Sequence, residues 1–241
     1  EITKLLDLIQ DVYKKFDLPV SYKLATKPNK AMGSPVLWKK AELELETILK
    51  KTGKPYEIKL KDGAFYGPKI DIHIKDSLGR DWQLATIQLD FVMPGRFSLE
   101  YTDEQGKKET PVMIHRAIAG SLERFLAVII EHFAGAFPLW LSPVQVKVLS
   151  IGAAHKEYAA KVYAMLREAD IRVELDLSDE TLGKKIRNVK LEKVPYFIVI
   201  GDQEVGGEQI TVESRDQGKI GITTVDEFTR NMKEEMAGKS V

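Results

Sequence analysis

The spacing of apolar positions changes period along the chain. Over residues 1–16, Ile2, Leu5, Leu6, Ile9, Val12, Tyr13 and Phe16 recur every three to four positions, which predicts an amphipathic helix. "VSYKLAT" (20–26) reads as a strand, and 36–53 as a second helix stopped by Gly53. After a strand at "PYEIKL" and a glycine-bearing loop "KDGAFYGP", the segment "KIDIHIKD" alternates strictly. Ile70, Ile72 and Ile74 face one way there, and Asp71, His73 and Lys75 the other. "SLGR" gives a hairpin turn into "DWQLATIQLDF". Strict alternation puts Gln83, Ala85, Ile87 and Leu89 on one face of that strand, and Trp82, Leu84, Thr86, Gln88 and Asp90 on the other. "FSLEYTD" and "TPVMIH", about a turn at "EQGKK", predict another antiparallel pair, followed by a helix over 116–134.

Prolines interrupt the pattern in "AFPLWLSPVQ" (136–145), which places a boundary between domains 1–141 and 142–241. The first is predicted to be an α+β antiparallel sheet with helices. In the second, strands at "VQVKVLSI", "IRVELDLS", "PYFIVIG" and "EQITVES" alternate with helices at "HKEYAAKVYAMLREAD", "TLGKKIRNVKLEKV" and "DEFTRNMKEEM". That order predicts an α/β domain with a mixed, mainly parallel sheet. An amphipathic helix without a cap opens the chain, which suggests a fragment of a longer protein.

Composition narrows the class. The 241 residues are 44% hydrophobic and 30% charged, as in a folded globular protein. No apolar run is long enough to span a bilayer, and no cysteine supplies a disulfide, a thiolate metal ligand or a thiol nucleophile. This composition suits a reducing, cytoplasmic setting. Residues 1–141 carry 21 Lys+Arg against 19 Asp+Glu, and residues 142–241 carry 15 against 17. Nucleic-acid binding would therefore depend on local basic groups, not on a global field.

The candidate chemistry gathers in "VMIHRAIAGSLERF" (112–125). On a helix from 116, Ala117, Gly120, Ser121 and Arg124 would share a face of small residues ending in a guanidinium, with His115 at its mouth. Such a face can admit a phosphate-bearing ligand beside a forked cation, and can equally serve close packing. The motif resembles the third signature of class II aminoacyl-tRNA synthetases, Gly-x-x-x-Arg, with Gly120 and Arg124 in its frame. "GAFYGPKIDI", "DWQLATIQLDFVMPGRF", "PVMIHRA" and "FPLWLSPVQV" narrow the resemblance to threonyl-tRNA synthetases, in their order and across essentially the whole chain. The implied fold is a partial class II catalytic core followed by an anticodon-binding domain.

The resemblance implies ATP-dependent activation of L-threonine and its transfer to tRNA(Thr). It places Arg124 near the triphosphate, and Gln83, Thr86 and Ser121 in the nucleotide pocket. Tyr66 falls beside the substrate's amino group, and Lys69 and Gln88 near the reacting carboxylate and the tRNA terminus. His115 is the implied ligand to a Zn²⁺ that holds threonine's amino and hydroxyl groups; the other ligands, one Cys and one His, are expected upstream of residue 1. Mg²⁺ would accompany ATP, and the whole enzyme would be a cytoplasmic homodimer. The anticodon positions implied are Asp179, Glu204 and Arg215. Around them the sequence departs from the family's pattern: 178–181 read Ser-Asp-Glu-Thr, and Glu213 stands where Arg is usual. Lys184, Lys185, Arg187 and Lys190 read as a solvated basic helix face. The rival expectation is a non-catalytic, synthetase-like protein that binds RNA. A sister class II enzyme for proline or glycine is disfavoured by His115 beside Arg116, since a zinc ligand there is a feature of the threonine enzymes.

Overall fold

The computed structural model describes residues 1–239 and divides the chain into two compact units, Glu1–His132 and Phe133–Val241. In the first unit the elements run α1 (Ile2–Lys14), β1 (Val20–Ala25), α2 (Pro35–Lys51), β2 (Tyr56–Lys59), β3 (Lys69–Lys75) and β4 (Asp81–Asp90). They continue with the short α3 (Met93–Arg96), β5 (Tyr101–Thr102), β6 (Lys108–Glu109), β7 (Met113–Ala117) and α4 (Leu122–His132). The main sheet has the order β2-β1-β3-β4-β7; only β1–β2 is parallel, and β1–β3, β3–β4 and β4–β7 are antiparallel. β5 and β6 pair with each other as a separate two-stranded ladder, so Met113–Ala117 joins the main sheet instead of forming the hairpin expected with 97–103.

The two faces of this sheet differ sharply. Tyr22, Leu24, Ile70, Ile72, Ile74, Ile87 and Leu89 are buried, as are Leu6, Ile9 and Tyr13 of α1 and Trp38, Ala41, Leu45 and Leu49 of α2. The alternation read from "KIDIHIKD" holds. Ser34 caps α2 by accepting from the Val36 amide, with Pro35 at the first helical position, where its missing N–H costs nothing. α1 packs on α4 through the edge-on contact of Tyr13 with Phe125, and Phe16, just beyond α1, meets the same ring edge-on.

Two expectations are corrected here. The helix expected from 116 begins at Leu122, because β7 continues to Ala117 and Gly120 takes the left-handed region at φ +61°. Ala117, Gly120, Ser121 and Arg124 therefore lie on a strand, a turn, a cap and a helix, and not on one helical face. The alternation expected along β4 also fails, for a physical reason. Ile72 pairs with Ala85 but His73 pairs with Gln83, so Leu84 is the extra residue of a β-bulge. Leu84 and Ala85 are both buried, and the faces exchange at that point.

The second unit runs β8 (Val146–Ser150), a 3₁₀ turn (Ala153–His155), α5 (Lys156–Glu168), β9 (Val173–Asp176), α6 (Leu182–Glu192) and β10 (Tyr196–Ile200). It ends with α7 (Asp202–Gly207), β11 (Ile210–Ser214), β12 (Gly218–Thr223) and α8 (Val225–Gly238). The sheet order is β12-β11-β10-β8-β9; β9, β8 and β10 are parallel, and β11 and β12 extend them antiparallel. It is a mixed sheet with two parallel and two antiparallel pairings. Tyr196, Ile198 and Ile200 face a core shared with Ala159, Val162 and Leu166 of α5 and Val225, Phe228 and Met232 of α8. Phe197 and Leu149 face the other way, against Val189 of α6. Lys185 is not part of a solvated helix face: it is 1% exposed, and its Nζ donates to the carbonyls of Ser150 and Asp176 at 2.9 and 3.3 Å.

Candidate active site

The face of the first sheet opposite the apolar core carries three polar rows that cross the strands. Lys23, Asp71, Thr86 and Ala117 stand opposite one another in register; so do Lys69, Gln88 and His115; so do Ser21, His73 and Gln83. Residues paired in register project to the same side. The bulge at Leu84 brings Gln83 to the side of Thr86 and Gln88, which a regular strand would have denied it.

Asp71 is the hub of this face. It is 2% exposed. Its Oδ1 accepts from Gln83 Nε2 at 2.7 Å and from Thr86 Oγ1 at 2.9 Å, and its Oδ2 accepts from Lys69 Nζ. A buried carboxylate is tolerated only when paired and hydrogen-bonded, and this one has three donors. The chain of bonds continues outward: Gln88 Nε2 donates to Thr86 Oγ1 at 3.4 Å, and the Tyr66 hydroxyl donates to Gln88 Oε1. Burial, followed by the charge of Asp90, raises the pKa of Tyr66, so the phenol keeps its proton.

Tyr66 reaches this point because its loop lies against β4. The Phe91 amide donates to the Tyr66 carbonyl at 3.3 Å, and the Leu89 amide donates to the Pro68 carbonyl at 3.0 Å. A Cβ on Gly67 would come within 1.8 Å of the Leu89 carbonyl oxygen, so no other residue fits there without moving the loop.

His115 stands across from Gln88, with the Tyr66 ring centroid 5.7 Å from its own. Its Nε2 lies 2.9 Å from Oδ2 of the fully buried Asp90. Burial alone would raise the pKa of Asp90, but the Met93 and Val92 amides and His115 hold it below the usual carboxylate range. Among the described residues no group of three His, Cys, Asp or Glu is placed to hold a metal ion.

Arg124 enters from α4. Ser121 sits just before the helix, its Oγ accepting from the Arg124 amide at 3.3 Å and donating to Glu123 at 2.6 Å. Arg124 Nη1 donates to the Gln83 carbonyl at 3.0 Å, and its guanidinium lies over the Trp82 ring at 5.8 Å. The turn that delivers it rests on the same bulge. A Cβ on Gly120 would meet the Leu84 carbonyl oxygen at 2.5 Å, and the Tyr13 hydroxyl holds the Ile118 carbonyl at 2.7 Å. This explains the spacing Gly-x-x-x-Arg: the glycine crosses the strand at its bulge, and one helical turn later the arginine reaches back to the residue before it. At the far end of the face His73 Nδ1 lies 3.0 Å from Asp81 Oδ2, and Lys23 also pairs with Asp81.

The predicted residues Tyr66, Lys69, Gln83, Thr86, Gln88 and His115 are thus linked to this one sheet face, whereas Arg124 meets the strand at the Gln83 carbonyl and the Trp82 ring, and Ser121 bonds at the start of α4. Asp71 and Asp90, which organise it, were not singled out from the sequence. The available signal was positional: each is a carboxylate on the polar face of its strand, Asp71 opposite Thr86 and Asp90 two residues beyond Gln88.

The positions singled out in the second unit are dispersed. Glu204 is buried at the start of α7, where its carboxylate accepts from the Gly201 amide at 2.9 Å and the Thr211 hydroxyl at 2.5 Å. Burial would raise its pKa, but those donors lower it. Asp179 is exposed and pairs with Lys156 at 2.9 Å. Both follow the carboxyl ends of parallel strands, Glu204 after β10 and Asp179 after β9. Arg215 stands at the opposite end of the sheet, in the β11–β12 turn, where it donates to the carbonyls of Phe137 and Lys193 at 2.9 and 3.0 Å. Glu213 pairs with Lys190 at 3.2 Å.

Residues 1–133 match the tRNA synthetase class II core domain (G, H, P, S and T), and residues 145–235 match the anticodon binding domain. The chain belongs to the class II aminoacyl-tRNA synthetases that carry this core. Two similar curated proteins are threonine–tRNA ligases. That of Caldanaerobacter subterraneus is 48% identical over all 241 residues, and that of Clostridium kluyveri 48% over 239. The chain spans 37% and 38% of their lengths. Among solved structures, the RNA binding domain of threonyl-tRNA synthetase from Cryptosporidium parvum superposes with a TM-score of 0.92 at 40% identity, covering 97% of this chain and 59% of that one.

Proposed function

We propose that this chain is part of a threonine–tRNA ligase, and that the polar face of its first sheet takes part in activating threonine with ATP. The observation that supports this most is the single hydrogen-bonded set running from Tyr66 through Gln88 and Thr86 to Asp71, Gln83 and Lys69, with Arg124 bonded to the Gln83 backbone. In the proposed reaction threonine's carboxylate oxygen attacks the α-phosphorus, the bond to the bridging oxygen breaks, and pyrophosphate leaves with that electron pair. Lys69 and Gln88 orient the carboxylate near the tRNA terminus, and Tyr66 lies beside the amino group. Gln83, Thr86 and Ser121 take the nucleotide. Arg124 places a permanent cation where charge develops on the leaving group, in a site that water does not have to reorganise to provide. The adenylate's carbonyl is then attacked by a terminal ribose hydroxyl of tRNA(Thr), releasing AMP.

His115 would supply one imidazole to a zinc ion, with the remaining donors from parts of the longer protein that this chain does not span. Zinc would supply a Lewis-acid contact for the substrate's amino and hydroxyl groups, and so a means of excluding valine. Mg²⁺ would accompany ATP. The second unit is proposed to meet the anticodon, with Asp179 and Glu204 at the carboxyl ends of the parallel strands and Arg215 acting from a separate position. A homodimer working in the cytoplasm completes the proposal. The test is threonine-dependent ATP–pyrophosphate exchange by the full-length protein. Exchange with threonine but not valine is expected. A folded, zinc-loaded protein without exchange would instead favour the non-catalytic RNA-binding reading.

A further inference from the structure

We propose that Asp90 is a positioning residue that fixes His115 as its Nε2–H tautomer, so that Nδ1 is the nitrogen His115 offers to a ligand. The proposal rests on the reading of His115 as a ligating residue and says which atom ligates. A neutral imidazole has one donor nitrogen and one acceptor nitrogen, and whichever partner is fixed first decides which is which. Asp90 is that fixed partner. It ends β4, has no exposed surface, and its Oδ1 accepts from the Val92 and Met93 amides at 2.8 and 2.9 Å. Those two bonds set the carboxyl plane, and the second oxygen then meets His115 Nε2 at 2.9 Å. An ionised carboxylate only accepts, so the ring nitrogen facing it carries the proton. The β4–β7 register fixes the backbone at His115, pairing Gln88 with His115 and Asp90 with Met113, and the Tyr66 ring flanks the imidazole. No described residue hydrogen-bonds Nδ1, and the His115 side chain is 42% exposed. Ligating histidines generally hand their other N–H to a carboxylate in this manner, which fixes the ring and raises its basicity.

The tautomer can be read without any metal. In the 241-residue chain, long-range ¹H–¹⁵N correlation above the titration range resolves up to four imidazoles, and Asn in place of His115 identifies its signals by their disappearance. A protonated Nε2 and a bare Nδ1 are expected at His115. In Asp90→Asn the amide can donate as well as accept, and the clean split between the two nitrogens should collapse at His115 while His73 and His155 stay unchanged. A protonated Nδ1 in the wild type, or an unchanged split in folded D90N, overturns the proposal. Should D90N not fold, the wild type decides through its Nε2 proton: slow exchange with water is expected of a bond to a buried carboxylate, and fast exchange overturns it. In the full-length protein D90N is expected to weaken zinc about 10–100-fold. If the tautomer is as stated but zinc content is indifferent to His115, the ligand reading falls and the positioning of His115 stands. If zinc content depends on His115 but the tautomer is reversed, the positioning falls alone.

Discussion

Single side chains on the polar face divide into those that would touch substrate and those that hold them. Arg124 is exposed, and its side chain bonds the Gln83 carbonyl and lies over the Trp82 ring, so its removal should spare the fold. Arg124→Ala in the full-length protein is expected to lower threonine-dependent exchange about 10²–10³-fold, with an unchanged far-UV CD spectrum; a near-normal rate would remove Arg124 from the site. Asp71 differs because it is buried and serves three donors at once. Asp71→Asn leaves Lys69 without its anion and gives Gln83 and Thr86 a weaker acceptor. A loss of about 1–3 kcal/mol is expected in urea unfolding of this chain. Wild-type stability would mean that the bonds converging on Asp71 are of no net value to the fold.

At the scale of elements, two turns carry the site. The one between β7 and α4 depends on Gly120, whose left-handed backbone sits against the Leu84 carbonyl. Gly120→Ala combines a strained φ with a contact that cannot form, and about 1–3 kcal/mol of destabilisation is expected by chemical denaturation. The other turn joins β3 to β4. Burial would raise the pKa of Asp76, but the Trp82 and Arg80 side chains and the Arg80 amide bring it down to about 2 from the model-peptide value of 3.8. A depressed carboxylate contributes stability that is present above its unfolded value and lost as pH falls through the folded one. Wild-type stability should therefore decline between pH 3.8 and about 2 more steeply than that of Asp76→Asn, as measured by urea midpoints across that window. Parallel pH profiles would contradict it.

These elements also mark what the sequence could and could not reveal. Period alone placed α1, α2, β3 and, in the second unit, β8 to β11 with α5, α6 and α8, because each buries one regular face. It failed at Leu84, since a bulge is invisible to alternation counted by twos, and so it separated Gln83 from Thr86. It extended α4 backward across Gly120 because small residues suit a helix as well as a turn. α7 and β12 escaped notice: "DQEVGG" and "GKIGIT" are short, glycine-bearing and weakly periodic. The individual roles of Lys69, Gln88 and His115 came from resemblance. Their mutual geometry came from the register.

For the whole molecule, the two units have separate cores. The second unit closes one around Ile198, Val212, Leu166 and Phe228 and another around Phe197 and Val189. Residues 133–241 expressed alone should therefore unfold in one cooperative urea transition; a gradual, non-cooperative change would show that the unit depends on the rest of the chain. The chain spans little more than a third of the length of the two threonine–tRNA ligases it is compared with, so the proposed site is tested on the longer protein. A structure of the full-length protein with a non-hydrolysable threonyl-adenylate analogue tests this most directly. The analogue is expected on the polar face of the first sheet, its aminoacyl end within hydrogen-bonding reach of Lys69, Gln88 and Tyr66 and its nucleotide beside Thr86 and Arg124. An analogue bound elsewhere, with that face still closed on its own hydrogen bonds, would contradict it.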